Sequence, residues 1–315
     1  MVIVMVGAID IGGTKTIAGL ANQDGKILDQ IKFDSCTENW EAHFERCAQA
    51  LLELCGRHQT DASGLKGIGI SLPAMTDSEN GILVYAPFSG WRDIPAARWF
   101  ARRLNQPAVY VENDVNACAL GELKFGHGRT CKDFIWITVS TGIGGAIVAD
   151  SRLVTGGHHL AGEFGHLKVE RMRPRRCPCG QEGCLEAHAS GTAIGKSFQE
   201  YLRTCPEAER LLNRHNYPAD AYGCRMLAAE GEAGAAEIYR KAGEYLGIAI
   251  AQAVNLLNPG AVIFGGGVSA SMELLEPEIW RVLASEAVRS AGETALMYTA
   301  LGYEAALVGA AALVP

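Results

Sequence analysis

Hydrophobic positions along the first 110 residues come in short runs separated by glycine-rich or polar turns. Residues 2–9 are mostly valine, isoleucine and small residues, and they predict a buried strand. Gly12 and Gly13 form a turn, residues 16–21 a second strand, and Asp24-Gly25 is a hairpin signal leading into a third at 26–31. Residues 40–54 carry apolar side chains at helical spacing. Short strands are expected at 67–72 and 108–111, with a helix at 94–104 between them. The plan then begins again: strand at 134–139, glycine turn at 142–145, strand at 146–149, and a third strand beginning at Leu153 and Val154. Repetition at this scale predicts two related halves. Beyond it, 155–190 is rich in Gly, His and Cys, and 191–257 is mostly helical with a looser stretch at 213–223. Residues 261–264 form a strand running into Gly265, Gly266 and Gly267, and 305–313 a small-residue helix.

Composition narrows the chemistry. The chain has 315 residues, 48% hydrophobic and 20% charged, which suits a folded two-domain protein rather than a disordered one. A net charge of −7 disfavours general nucleic-acid binding. Residues 2–9 are too short and lack the basic flank of a signal peptide, and no apolar run reaches the roughly 18 residues that a membrane span needs. A cytoplasmic protein without a membrane partner is expected. Its 10 cysteines are then thiols or metal ligands rather than disulfides.

Asp10, Ile11, Gly12, Gly13, Thr14 and Lys15 follow the first strand directly. Glycines allow backbone amides to face an anion unobstructed, Thr14 adds a hydroxyl, Lys15 a charge, and Asp10 a carboxylate suited to Mg2+. The plain alternative is a hairpin turn. Ser140, Thr141, Gly142, Ile143, Gly144 and Gly145 form a second such loop, weak alone but, paired with the first, pointing to a nucleotide held from two sides. Neither loop has the Walker or dinucleotide pattern. Gly265 and Gly266 would let backbone lie flat against an adenine; the alternative is a simple turn.

Glu112, Asn113 and Asp114 end a short strand where a helix begins. Asp114 is a candidate general base for phosphoryl transfer to an alcohol, or else the helix cap. Asn113, Glu163, His166 and Glu186 are candidate partners for sugar hydroxyls, since a carboxylate accepts two hydrogen bonds at once. His166, Cys177, Cys179 and Cys184 make a closed tetrahedral zinc set, structural rather than catalytic; a redox pair or idle thiols is the alternative. Arg171, Arg173, Arg175 and Arg176 precede it and would favour thiolates, or form a solvated basic loop. His158, His159 and His188 are spare candidates near the set. The glycine loops lie elsewhere in the sequence and are expected not to depend on the ion.

These motifs resemble the ROK family of sugar kinases and repressors, from about Ala8 to the C-terminus. Asp10 to Lys15 is similar to the family's first phosphate motif and Ser140 to Gly145 to its second. Glu112-Asn113-Asp114 is similar to its catalytic segment, and the stretch from Glu163 to Glu186 to its long diagnostic motif. The resemblance implies an actin-like α/β fold of two domains around a nucleotide and sugar cleft, with a zinc-binding loop. It implies ATP, Mg2+ and Zn2+ as cofactors and Asp114 as base in phosphorylating the 6-hydroxyl of a hexose, of glucose or N-acetylmannosamine type. It also implies that Asn113, Glu163, His166 and Glu186 touch the sugar. Expected boundaries are 1–114 plus about 300–315 for the smaller domain and 115–299 for the larger. A homodimer or homotetramer is expected. Two positions depart from glucose-using members: Ala74 follows Pro73 where glycine is common, and Phe88-Ser89 follows Ala86-Pro87 where an asparagine is common. Ala146 replaces a frequent third glycine. The alternatives are a sugar-responsive transcriptional regulator and an inactive sugar-binding member; with nine residues before Asp10 and an acidic chain, direct DNA binding is disfavoured.

Overall fold

The computed structural model describes residues 4–288 and 293–315; Val2 and Ile3 of the expected first strand lie outside the described residues. The chain divides into two compact units, Met1–Asp133 with Ala146–Ala161 and Thr299–Pro315, and Phe134–Gly145 with Gly162–Tyr298.

In chain order, the first part contains β1 (Met5–Ile11), β2 (Lys15–Asn22), β3 (Ile27–Asp34), α1 (Trp40–Arg57) and β4 (Ile68–Leu72). Then come β5 (Met75–Asp77), β6 (Ile82–Ala86), β7 (Trp91–Ile94), α2 (Ala96–Leu104), β8 (Val109–Asn113) and α3 (Asp114–Phe125). The repeat follows as β9 (Phe134–Val139), β10 (Ile143–Ala149) and β11 (Arg152–Val154). Helices α4 (Leu185–Ala189), α5 (Gly191–Thr204), α6 (Pro206–His215), α7 (Ala221–Ala229) and α8 (Ala233–Leu257) come next. The chain closes with β12 (Ala261–Gly265), α9 (Met272–Glu286), β13 (Ala295–Tyr298) and α10 (Ala305–Ala312).

The repeat seen in the sequence is a repeat of topology. One five-stranded sheet has the order β3-β2-β1-β4-β8 and the other β11-β10-β9-β12-β13, so each has a three-strand meander followed by two returning strands. In the first, β2 is antiparallel to β1 and β3, while β1, β4 and β8 run parallel. In the second, β9, β12 and β13 run parallel.

Two expected elements differ. Ile94 ends β7 instead of opening a helix, because Pro95 supplies the N-cap of α2 and has no amide for a strand. The second glycine turn is shorter than expected: Ile143, Gly144 and Gly145 already belong to β10. The small antiparallel sheet β5-β6-β7 is additional.

The first unit's core gathers around Phe44 of α1, whose ring lies 4.8 Å from Phe100, 5.6 Å from Trp99 and 5.9 Å from Trp91. Its other sheet face is lined by small residues. Val6, Ala8 and Ala21 pack against Leu307, Ala310 and Ala311 of α10. That approach is close enough that a Cβ at Gly69 of β4 would lie 1.8 Å from the Ala310 carbonyl oxygen. Gly69→Ala is therefore expected to destabilise the protein by about 3 kcal/mol, since neither backbone can yield cheaply. Gly56→Ala, in open space on α1, is expected to raise stability by up to about 1 kcal/mol through helix propensity. Urea unfolding midpoints check the pair.

Candidate functional site

In the first unit the candidate chemistry collects at the ends of parallel strands. β1 delivers Asp10 beside Ser71 of β4, whose hydroxyl donates to Asp10 Oδ1 at 2.9 Å. β8 delivers Glu112, Asn113 and Asp114 to the start of α3. Asn113, not Asp114, is the N-cap. Its Oδ1 accepts from the amides of Val115 and Asn116 at 2.9 and 3.1 Å, and its Nδ2 donates to the Ala74 carbonyl at 3.2 Å. The cap leaves Asp114 less encumbered, with Oδ1 accepting from its neighbour Val115 at 3.0 Å.

Burial governs both aspartates. It pushes the Asp114 carboxyl up to about 6, partly offset by the Val115 amide. It pushes Asp10 up to about 7; the Ser71 hydroxyl opposes the shift and the Asp114 charge adds to it. A carboxylate near 6 can both hold and release a proton near neutrality. A buried carboxyl with one hydrogen-bond donor and a like-charged neighbour suits a cation, so Asp10 fits Mg2+.

Glu112 is a residue that sequence reasoning left without a role. It is 6% exposed. Its carboxylate accepts from Thr76 Oγ1 (3.1 Å), Ser78 Oγ (2.7 Å), Asn116 Nδ2 (3.1 Å) and the Asn113 amide (2.8 Å). These bonds fasten the strand-to-helix junction on both sides of Asp114's neighbour. The Glu-Asn-Asp run was the available signal, because three adjacent polar residues ending an apolar strand rarely all face solvent.

The first glycine loop is a tight β1–β2 connection. The Gly12 amide donates to the Lys15 carbonyl at 2.9 Å. Thr14 is exposed and Gly13 lies against the Phe88 ring. Lys15 pairs with Asp34 across β2 and β3, both largely exposed.

In the second unit, Ser140 to Gly142 link β9 to β10, and this loop is fastened to α5. The Gly191 amide donates to the Ser140 carbonyl at 2.8 Å, and Thr192 Oγ1 to the Thr141 carbonyl at 2.8 Å. Gly265 ends β12 beside Trp136, and Gly266 has φ +87°, a left-handed conformation that favours glycine.

His166, Cys177, Cys179 and Cys184 converge, with their four ligand atoms all within 4.8 Å of one another. Cys179 and Cys184 Sγ are 3.8 Å apart, and Cys177 Sγ is 3.8 Å from His166 Nδ1. A tetrahedron with Zn–S of about 2.3 Å has edges of about 3.8 Å, so the donor set fits zinc. Glu163 Oε2 lies 3.6 Å from His166 Nε2, the nitrogen turned away from the thiols. The cation that touches a thiol is Lys168, whose Nζ donates to Cys184 Sγ at 3.1 Å. The arginine run is not what meets the sulfurs: Arg175 reaches Ser197 Oγ at 2.9 Å. His188 is buried and accepts from the Arg175 amide at 3.1 Å, while His158 and His159 are exposed in the first unit.

Glu186 reaches the second glycine loop, which nothing in the sequence connects with the cysteine segment. Its Oε2 accepts from the Ile143 amide of the second glycine loop at 3.0 Å, and its Oε1 lies 4.0 Å from Cys177 Sγ. A Cβ at Gly142 would meet Glu186 Oε2 at 2.5 Å. The loop and the metal set, remote in sequence, thus share a carboxylate.

A profile of the ROK family matches residues 6–315. The chain belongs to the ROK family. Among relatives in sequence, the glucokinase of Thermotoga maritima is 37% identical over 270 residues, covering 85% of this chain and 83% of that protein. The crystal structure of a ROK glucokinase from Streptomyces griseus, in complex with glucose and AMPPNP, superimposes with a TM-score of 0.82 at 29% identity, covering 98% of both chains. A ROK transcriptional regulator, a homolog of the E. coli MLC protein, superimposes with a TM-score of 0.88 at 26% identity, covering 98% of this chain and 77% of that one. The actin-like α/β fold expected from the sequence is the fold observed. Among the described residues of this ROK protein, no helix is long and apolar enough to cross a membrane.

Proposed function

We propose that this ROK protein transfers the terminal phosphoryl group of ATP to a hydroxyl of a hexose, the 6-hydroxyl, with Asp114 as general base. The observation that carries the reading is Asp114 itself, a recessed carboxyl at the start of α3, raised to about 6 and spared from capping by Asn113. Ionised, it accepts the proton of the attacking hydroxyl as the new O–P bond forms, and the bond to the leaving ADP oxygen breaks. Asp10 would hold Mg2+, which neutralises phosphate charge when bound. The Gly13 amide of the first loop and amides of the Thr141-Gly142 loop take the phosphates, and Gly265 and Gly266 flank the adenine.

Glu163, His166 and Glu186 supply hydroxyl partners for the sugar, and Asn113 offers its remaining Nδ2 proton. His166, Cys177, Cys179 and Cys184 would hold Zn2+, which fixes the loop carrying these contacts. Hexose choice rests on the β6–β7 connection, where Phe88 packs 5.5 Å from Trp91 and the enclosed Ser89 hydroxyl has no hydrogen-bond partner among the described residues. A glucose-type hexose is the first reading and an N-acetylmannosamine-type one the second.

Purified protein assayed with ATP and a panel of hexoses and N-acetylhexosamines should release ADP with at least one sugar. The absence of turnover with every sugar would overturn the kinase reading. Sugar binding without turnover would favour the regulator reading, which the likeness to the transcriptional regulator supports.

A further inference from the structure

One buried polar chain in the first unit has no part in the chemistry described above. His43, on α1, is 1% exposed, and Thr16, on β2, is 0% exposed. The Cys36 amide donates to His43 Nδ1 at 3.1 Å. That bond assigns the ring proton to Nε2, which lies 3.0 Å from Thr16 Oγ1. Thr16 Oγ1 is 2.8 Å from Ser35 Oγ, and the Ser35 hydroxyl donates to the Gly12 carbonyl at 2.7 Å. The donors therefore run one way: Nε2–H to Thr16, Thr16 to Ser35, Ser35 to the glycine loop. The Ser35 amide also donates to the Thr14 carbonyl at 3.0 Å, so one residue grips the loop at two carbonyls.

Peptide planarity gives this grip a direction. A carbonyl and the following N–H point opposite ways across a trans peptide. Drawing the Gly12 and Thr14 carbonyls toward Ser35 turns the amides of Gly13 and Lys15 away from it, onto the loop's outer side. Left free, a glycine pair would sample many orientations.

We propose that His43, Thr16 and Ser35 act together as positioning residues that preorganise the first glycine loop, aiming its Gly13 amide at the phosphates of the nucleotide. The inference rests on the reading of that loop as a phosphate site. None of the three residues touches the reacting atoms. The imidazole stays neutral at working pH, because burial holds its pKa down at about 4, and a neutral ring is what the one-way chain requires. The ring is held in place by Trp91 and Phe33, at 5.9 and 6.1 Å between centroids. The Trp91 indole in turn donates to the Thr37 carbonyl at 3.0 Å, fixing the segment that presents Ser35.

The test compares Thr16→Val, which keeps the shape and removes the hydroxyl, with Thr16→Ser, which keeps the hydroxyl, and adds Ser35→Ala. Thr16→Val and Ser35→Ala are each expected to raise KM for ATP about 10-fold, as loss of one charge-assisted bond does. KM for the hexose should stay within about 2-fold, and Thr16→Ser close to the parent protein. The double variant should cost no more than the worse single, since both break one chain. Amide exchange in residues 12–15 should quicken in Thr16→Val and Ser35→Ala more than in the rest of the chain, while Tm falls modestly in Thr16→Val because the buried His43 donor is stranded. Unchanged loop exchange, or Thr16→Val indistinguishable from Thr16→Ser, would overturn the proposal. A parent protein that turns over no sugar would sink the kinase reading instead, and loop exchange would still decide the positioning.

Discussion

Asp114→Asn is expected to lower kcat by about 10²-fold or more while leaving sugar binding and Tm nearly unchanged. The amide matches the carboxyl in shape, and the cap of α3 belongs to Asn113, so the helix start survives the change. What is lost is the acceptor for the hydroxyl proton. In the parent protein kcat/KM for the hexose should climb as pH rises from about 5 to about 8. The sign follows from the shifts: Asp114 and Asp10 are raised to about 6 and about 7, and the ionised forms are the active ones, so activity falls as pH drops through that window. Burial is the main cause of both shifts, and the Asp114 charge adds to that of Asp10. Near-normal turnover by Asp114→Asn would remove it from the mechanism.

Loss of the metal set should do comparable damage by another route. Metal analysis is expected to give about one zinc per chain, as one complete ligand set implies. Cys184→Ser removes a fully buried ligand that also receives the Lys168 ammonium. It is expected to release the zinc, weaken sugar binding by about 10-fold or more, and lower Tm. The Glu186 bond to Ile143 adds a consequence that sequence distance hides: nucleotide affinity should fall too, because the second glycine loop loses a braced partner. Isothermal titrations with sugar and with a non-hydrolysable nucleotide separate the two effects. Protein free of zinc that phosphorylates a hexose at full rate would defeat the structural-zinc reading.

Much of this was legible in the residues. Short valine- and isoleucine-rich runs between glycine turns foretold both meanders, and the similar spacing of Gly12-Gly13 and Gly144-Gly145 foretold that the second sheet repeats the first. His166, Cys177, Cys179 and Cys184 were readable because three cysteines and a histidine within a short segment make one of the usual closed tetrahedral donor sets. Other features were hidden for physical reasons. The sheet of β5, β6 and β7 is built from strands of three to five residues, too short for an alternation to stand out. Asn113 and Asp114 are equally good caps by type, and only the backbone turn at Asn113 decides between them. His43 gave no signal and Glu112 only the polar run it opens, since a buried polar group is recognised by its partners, and those come largely from distant parts of the chain. Lys168 outranks four nearby arginines at the thiols through geometry that a run of charges does not encode.

The close seat of α10 on β1 and β4 has a bearing on how the protein is made. The inner face of the first meander, with Val6, Ala8 and Ala21, is covered by Leu307, Ala310 and Ala311. Those residues leave the ribosome long after the sheet they cover. At roughly 5–20 residues per second, they emerge on the order of 10 to 50 seconds after Gly69. Through that interval an apolar sheet face lacks its native cover, while the second unit's strands and helices are being synthesised. The first unit therefore gains its last packed helix only after the second unit has been fully translated.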